Sequence, residues 1–177
     1  MFNGKGRITH ANGDIYQGHW KQGKADGHGV YTSRESGSMY KGQWKNDLYH
    51  GTGTEVWNFG KIKYQGDFVE SQKTGKGRFE FDGNVYEGDF VQGQFEGQGK
   101  YVFKSERKTY QGEFHQNNII GHGVMVYDDG SRYEGQFVNC KREGKGAMYF
   151  ENGDNYQGMW RNDLQHGPGV KYCSETN

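Results

Sequence analysis

The stretch YQGHWKQGKADGHGVY, residues 16–31, sets Gly18, Gly23, Gly27 and Gly29 among the aromatics Tyr16, Trp20 and Tyr31. Glycine at that density is usual in linkers and disordered segments, whereas Tyr and Trp favour strands. The whole chain carries the same conflict, with 31 Gly but also 13 Tyr, 11 Phe and 4 Trp in 177 residues. Disordered chains are poor in aromatics, so disorder is excluded. Hydrophobic residues make up only 31% of the chain, too few aliphatics for an ordinary two-layer core.

Self-similarity resolves the conflict. The pattern Tyr-x-Gly-x-aromatic occurs seven times, as Tyr16 to Trp20, Tyr40 to Trp44, Tyr64 to Phe68, Tyr86 to Phe90, Tyr110 to Phe114, Tyr133 to Phe137 and Tyr156 to Trp160. A second pattern, Gly-x-Gly, begins at Gly4, Gly27, Gly51, Gly75, Gly97, Gly121, Gly144 and Gly167. Successive tyrosines lie 24, 24, 22, 24, 23 and 23 residues apart, so seven full units and an initial half unit fill the chain.

Each unit reads as two strands. Alternation puts Tyr16, Gly18 and Trp20 on one face, with Gln17 and His19 on the other. Gly75, Gly77, Phe79 and Phe81 share a face in the same way. Glycines and aromatics therefore lie together, and both glycines of Gly-x-Gly are expected to be seats for rings from neighbouring strands. The offset from the strand-closing aromatic to the next Gly-x-Gly is always 7, as from Trp20 to Gly27. The offset from Gly-x-Gly to the next Tyr varies, so all length drift falls at one edge. Asn12-Gly13, Asp82-Gly83, Asp129-Gly130 and Asn152-Gly153 predict hairpin turns at that variable edge.

Tyr-x-Gly-x-aromatic followed by Gly-x-Gly, at a period near 23, resembles the MORN repeat (membrane occupation and recognition nexus) along essentially the whole chain. The resemblance implies an all-β fold: a single elongated, twisted and curled antiparallel sheet of consecutive β-hairpins, forming one domain over residues 1–177. It also implies settings as different as cytoskeletal and axonemal scaffolds, junctional membrane proteins and accessory arrays on enzymes. The repeat count predicts fifteen strands.

Chemistry-bearing motifs are sparse. Gly18 to Ala25 matches Gly-x4-Gly-Lys but ends in Ala where a phosphate loop needs Ser or Thr, and no helix pattern follows. None of the seven histidines has a short ligand spacing with Cys or another His. Asp67, Glu87, Asp89 and Glu113 alternate with the aromatics and are expected to face solvent and cross-strand Lys or Arg. No catalytic residue, cofactor or metal site is expected. Basic and acidic residues balance at 22 each, against a nucleic-acid footprint. Cys140 and Cys173 fit neither a metal spacing nor a disulfide framework, which points to reduced thiols in the cytoplasm.

Function is then expected from shape. The leading expectation is a non-enzymatic structural or adaptor protein in a cytoskeletal assembly such as a ciliary axoneme. Its protein partner, extended or helical, would lie in a groove lined by Tyr16, Trp20, Tyr40, Trp44, Tyr64, Phe68, Tyr86, Phe90, Tyr110, Phe114, Tyr133, Phe137, Tyr156 and Trp160. The alternative for those rings is complete closure against one another and the glycines. On the groove expectation the opposite face, carrying Lys41 and Glu87, matters little to binding. Membrane association through acidic headgroups is a weaker alternative, its nearest patch being Lys100, Lys104, Arg107 and Lys108. A regulatory array for a separate catalytic domain is another, and the open sheet ends invite oligomeric contact.

Overall fold

The computed structural model describes residues 1–174. It falls into two compact units, Met1–Gly93 and a second from Gln94 onward. The first holds β1 (Gly4–Thr9), β2 (Ile15–Lys21), β3 (Lys24–Thr32), β4 (Met39–Lys45), β5 (Leu48–Trp57), β6 (Ile62–Val69), β7 (Gln72–Phe81) and β8 (Asn84–Val91). The second holds β9 (Gln94–Phe103), β10 (Lys108–His115), β11 (Asn118–Tyr127), β12 (Arg132–Val138), β13 (Lys141–Tyr149), β14 (Asn155–Arg161) and β15 (Leu164–Tyr172). The fifteen strands follow one another in sequence order in one antiparallel sheet, as the repeat count predicts. The helical content among the described residues is a short 3-10 turn at Asn58–Gly60.

The two glycines of Gly-x-Gly do different things, which corrects the expectation that both seat rings. The second one is the seat. In the first unit Gly6, Gly18, Gly29, Gly42, Gly53, Gly66, Gly77 and Gly88 are paired across successive strands in one unbroken row. A Cβ on Gly77 would lie 2.6 Å from Cε2 of Tyr64, far inside van der Waals contact. The first glycine instead sits at a bulge. Gly51 and Gly75 both have φ of 59°, and the register shifts beside each of them. Such left-handed backbone is cheap for glycine alone.

Residue four of Tyr-x-Gly-x-aromatic braces that bulge. Gln43 Oε1 accepts from Thr52 N–H at 3.2 Å, and Asp67 Oδ2 accepts from Lys76 N–H at 3.2 Å. Gln136 and Glu113 do the same in the second unit. Asp67 and Glu113 therefore hold backbone rather than a cross-strand cation. Glu87 and Asp89 behave as expected, pairing with Arg78 and with Lys76 (2.7 Å).

The constant edge is built from two-residue turns with φ positive at both central positions, for example Asn46 (51°) with Asp47 (69°) and Glu70 (49°) with Ser71 (64°). These match the right-handed twist of the flanking strands, as type I′ hairpins require. The second turn residue also clamps the preceding repeat. Asp47 accepts from Ala25 N–H at 2.7 Å and donates its own N–H to Ala25 C=O at 3.0 Å. Ser71, Asn117, Cys140 and Asp163 repeat this on Tyr49, Phe95, Ile119 and Arg142. Of the four expected dipeptides at the variable edge, Asp82-Gly83 alone has both residues left-handed, and the β5–β6 connection adds left-handed Asn58, Phe59 and Gly60. Asn12-Gly13 and Asn152-Gly153 sit in longer loops, where the Asn side chain accepts the N–H of Asp14 or Asp154.

The two glycine roles separate experimentally. Gly77→Val is expected to cost about 1–3 kcal/mol by overpacking Tyr64. Gly75→Ala should cost about 1–2 kcal/mol through its backbone conformation. Thermal melts check both, and an unchanged melting temperature for Gly77→Val would refute the seat assigned to Tyr64.

Candidate functional site

Each repeat tyrosine lies flat over a glycine pair, and its hydroxyl donates to the backbone carbonyl three residues on. Tyr16 reaches His19 O (3.0 Å), Tyr40 reaches Gln43 O (2.8 Å), Tyr64 reaches Asp67 O (3.0 Å) and Tyr86 reaches Asp89 O (2.9 Å). Tyr110, Tyr133 and Tyr156 do likewise. The aromatic four residues on meets each ring edge-to-face, and the aromatic of the next repeat meets its other side. Tyr40 has Trp44 at 5.1 Å and Phe68 at 5.2 Å between centroids, and Tyr133 has Phe137 at 5.2 Å and Trp160 at 5.2 Å. Such pairs favour this geometry because ring edges are positive and ring faces negative.

The result is closure. Tyr16, Tyr40, Trp44, Tyr64, Phe68, Tyr86, Phe90, Tyr110, Phe114, Tyr133, Phe137, Tyr156 and Trp160 are all buried, and Trp20 is half-buried against Phe2. In the repeats of Tyr40, Tyr64 and Tyr133 the residue nine after the tyrosine covers the ladder. Tyr49 stacks on Tyr40 with centroids 3.7 Å apart. Lys73 Nζ lies 4.4 Å from the Trp57 ring centroid and 2.9 Å from Glu55, and Arg142 lies 4.5 Å from that of Trp160. Thirteen of the fourteen expected groove residues are thus the core of the sheet, Trp20 being half-buried at its end, and the expectation that they line an open groove is replaced by the closure alternative.

The open groove is on the other face. In the first unit it has a volume of about 1340 Å³ and its floor is the backbone of the glycine row. One wall is a cross-strand row fixed by register: Arg7, Gln17, Val30, Lys41, Thr54, Gln65, Arg78 and Glu87, one residue from each of β1 to β8. The other wall includes Lys5, His19, His28, Thr52 and Lys76. Five cations line this groove and one carboxylate, Glu87. Arg78 is held by Glu80 and Glu87, and Lys76 by Asp89, whereas Lys5, Arg7 and Lys41 form no salt bridge among the described residues.

The second unit has a smaller counterpart of about 760 Å³ with different chemistry. It carries one Lys and one Glu, Lys145 and Glu134, with Ala147, Tyr149, Met159 and Pro168. In the basic tip expected as the nearest membrane patch, two of the four cations are paired, Arg107 with Asp128 (3.0 Å) and Lys108 with Glu106 (2.5 Å). Among the described residues no group of three or more His, Cys, Asp or Glu is placed to hold a metal.

Alternation alone had already put Gln17 and Lys41 opposite the rings. Which face stays open was the missed point, and the signal was residue nine after each tyrosine. Its large occupants, Tyr49, Lys73, Phe95 and Arg142, finish the aromatic face and leave the glycine backbone bare behind it.

Fold and groove together define a β-hairpin repeat array with an open groove on its polar face. The MORN repeat model matches residues 1–15, 16–37, 40–58, 64–84, 86–106, 110–132, 133–155 and 156–175, and the chain belongs to the MORN repeat family. A comparison with curated protein sequences gave no match. Among solved structures, the chain is similar to the SAS-4 (dCPAP) TCP domain of Drosophila melanogaster, in complex with a proline-rich motif of Ana2 (dSTIL). Identity is 13% over 96% of this chain and 90% of that one, with a TM-score of 0.49. The wild-type TCP10 domain of Danio rerio CPAP, in complex with a peptide of Danio rerio STIL, is similar at 12% identity over 88% and 73%, with a TM-score of 0.46.

Burial of the ladder has two measurable consequences. Phe68→Ala is expected to destabilise by about 3–5 kcal/mol, the usual cost of removing a buried ring, in denaturant melts. Burial also pushes Tyr16, Tyr40 and Tyr133 up to about 12, where an unfolded tyrosine titrates near 10. Between those values the unfolded chain binds fewer protons, so the stability from these hydroxyls is intact below pH 10 and lost as pH rises towards 12. Tyrosinate absorbance should rise together with cooperative unfolding in that window. Titration of all tyrosines with a midpoint near pH 10, in a chain that stays folded, would refute burial of the ladder.

Proposed function

We propose that the chain is a non-enzymatic structural or adaptor protein that holds a segment of a partner protein in the groove of its first unit. The observation that carries this is the glycine row. It leaves a strip of bare backbone across eight strands, walled by polar and cationic side chains, while the opposite face is closed by its own rings. A strip of that kind accepts a chain laid across it and has no enclosed pocket for chemistry. We place it in the cytoplasm, in a cytoskeletal assembly such as a ciliary axoneme. The free cysteines Cys140 and Cys173 accord with a reducing compartment, and the axonemal setting follows the family resemblance.

Photo-crosslinking tests the face used. A benzoylphenylalanine at Gln65, on the groove wall, is expected to capture a partner polypeptide from a ciliated-cell extract. The same group at Phe81, half-exposed on the aromatic side, should not. Filling the groove with Thr54→Trp should abolish capture without lowering the melting temperature. Capture through Phe81, undiminished by Thr54→Trp, would overturn the proposal.

A further inference from the structure

The charge pattern of the first unit's groove names the chemistry of its occupant. Arg7 on β1 and Lys41 on β4 belong to one wall row and lie three strands apart, about 14 Å at ordinary strand spacing. Both are exposed, and neither is in a salt bridge among the described residues. Lys5, two residues from Arg7 on β1, adds a third cation across the glycine row. At the opposite end the charge is self-neutralised, because Arg78 holds Glu80 and Glu87 while Lys76 holds Asp89. Between the two ends the wall offers only Thr54 and Gln65, neutral hydrogen-bonding side chains. The groove thus runs from a cationic end, through a neutral middle, to an end that presents its own carboxylate.

We infer that the occupant is an extended acidic segment of a partner protein, with two carboxylates four residues apart that meet Arg7 and Lys41. This rests on the protein-interaction function proposed above. Four extended residues span about 14 Å, which matches the separation of the two cations. The walls stand two residues apart along each strand, about 7 Å, so an extended chain can lie between them on the glycine floor. A helix, about 10–12 Å across with its side chains, would ride on top of the walls and miss that floor. Eight strands give about 34 Å of groove, room for roughly ten extended residues. At the far end Arg78 and Lys76 are already paired and offer no free cation, so the acidic residues belong at one end of the segment and neutral polar residues at the other. An anionic bilayer is the poorer fit, because lipid surfaces attract dense clusters of Lys and Arg and these cations are spread along a recess.

Random decapeptides displayed on phage, selected on the intact protein, test the inference. The expected result is enrichment of Asp or Glu at positions four apart, with neutral residues on one side. Binding of a selected peptide should fall about tenfold or more for Arg7→Glu and for Lys41→Glu, each of which removes a charge-assisted contact. Lys45→Glu, on the same strand and face as Lys41 but outside the groove, should leave it unchanged. Higher salt should weaken the wild-type complex and spare the residual binding of the variants. Enrichment of neutral or basic peptides that Thr54→Trp displaces would overturn the acidic occupant and leave the interaction function standing. Absence of any peptide displaced by Thr54→Trp would sink both. Sedimentation with phosphatidylserine vesicles, lost on Lys41→Glu, together with no acidic enrichment, would assign the groove to a lipid surface instead.

Discussion

A tyrosine ring laid over two cross-strand glycines is the contact on which the rest of the structure depends. The ring needs a flat floor, and only a residue without Cβ supplies one on both strands beneath it. Its hydroxyl must find a partner once buried, and the carbonyl three residues along the same strand lies within reach. The bulge comes at that point, where the register shifts and the first glycine of Gly-x-Gly turns left-handed. Ring, floor, carbonyl and bulge form one unit, so they recur together at a nearly fixed spacing. The same economy explains how a chain with 31% hydrophobic residues folds at all: a single layer closes its face with rings, where aliphatics would need a second layer.

Strand number, strand order and the shared face of rings and glycines were legible in the sequence, because alternation and a repeat near 23 residues over-determine them. The turns were legible only in part. Asp82-Gly83 announces a type I′ turn, whereas Glu70-Ser71 and Asn139-Cys140 adopt positive φ at both positions without the usual glycine. They do so because the second residue gains two hydrogen bonds to the preceding repeat, an interaction 21 or 22 residues away in the chain. Local turn chemistry carries no trace of so distant a contact. Cys140 shows this best: a lone cysteine by spacing, it occupies the clamp position held by Asp47 and Asp163 elsewhere.

The site was misread for a related reason. Fourteen aromatics on one face suggest a sticky trough only if nothing covers them, and their covers lie outside both repeat signatures. Ala25, Tyr49, Lys73, Phe95, Ile119 and Arg142 share a position but no chemical type, so no motif announces them. Three of them lie over a tyrosine, Tyr49 by stacking and Lys73 and Arg142 as cations over the ring. Repeat position, and not residue identity, was the signal.

Closing one face decides the chemistry of the other. The glycines that seat the rings point their missing side chains at the aromatic side, and on the reverse side they leave backbone between two rows of flanking residues. Most of those flanking residues are not tied to a bulge, which holds only residue four in the motifs of Gln43, Asp67, Glu113 and Gln136. Their neighbours are free to differ between units, and they do. The first unit's wall row holds Arg7, Lys41 and Arg78, while the corresponding row of the second runs Lys100, Gln111, Val124, Glu134, Ala147, Gln157 and Val170. The same glycine row is thus retained for stability in both units, with different charges set along it. A repeat built this way puts the ring ladder that closes the sheet on one face and most of the residues free to vary on the other.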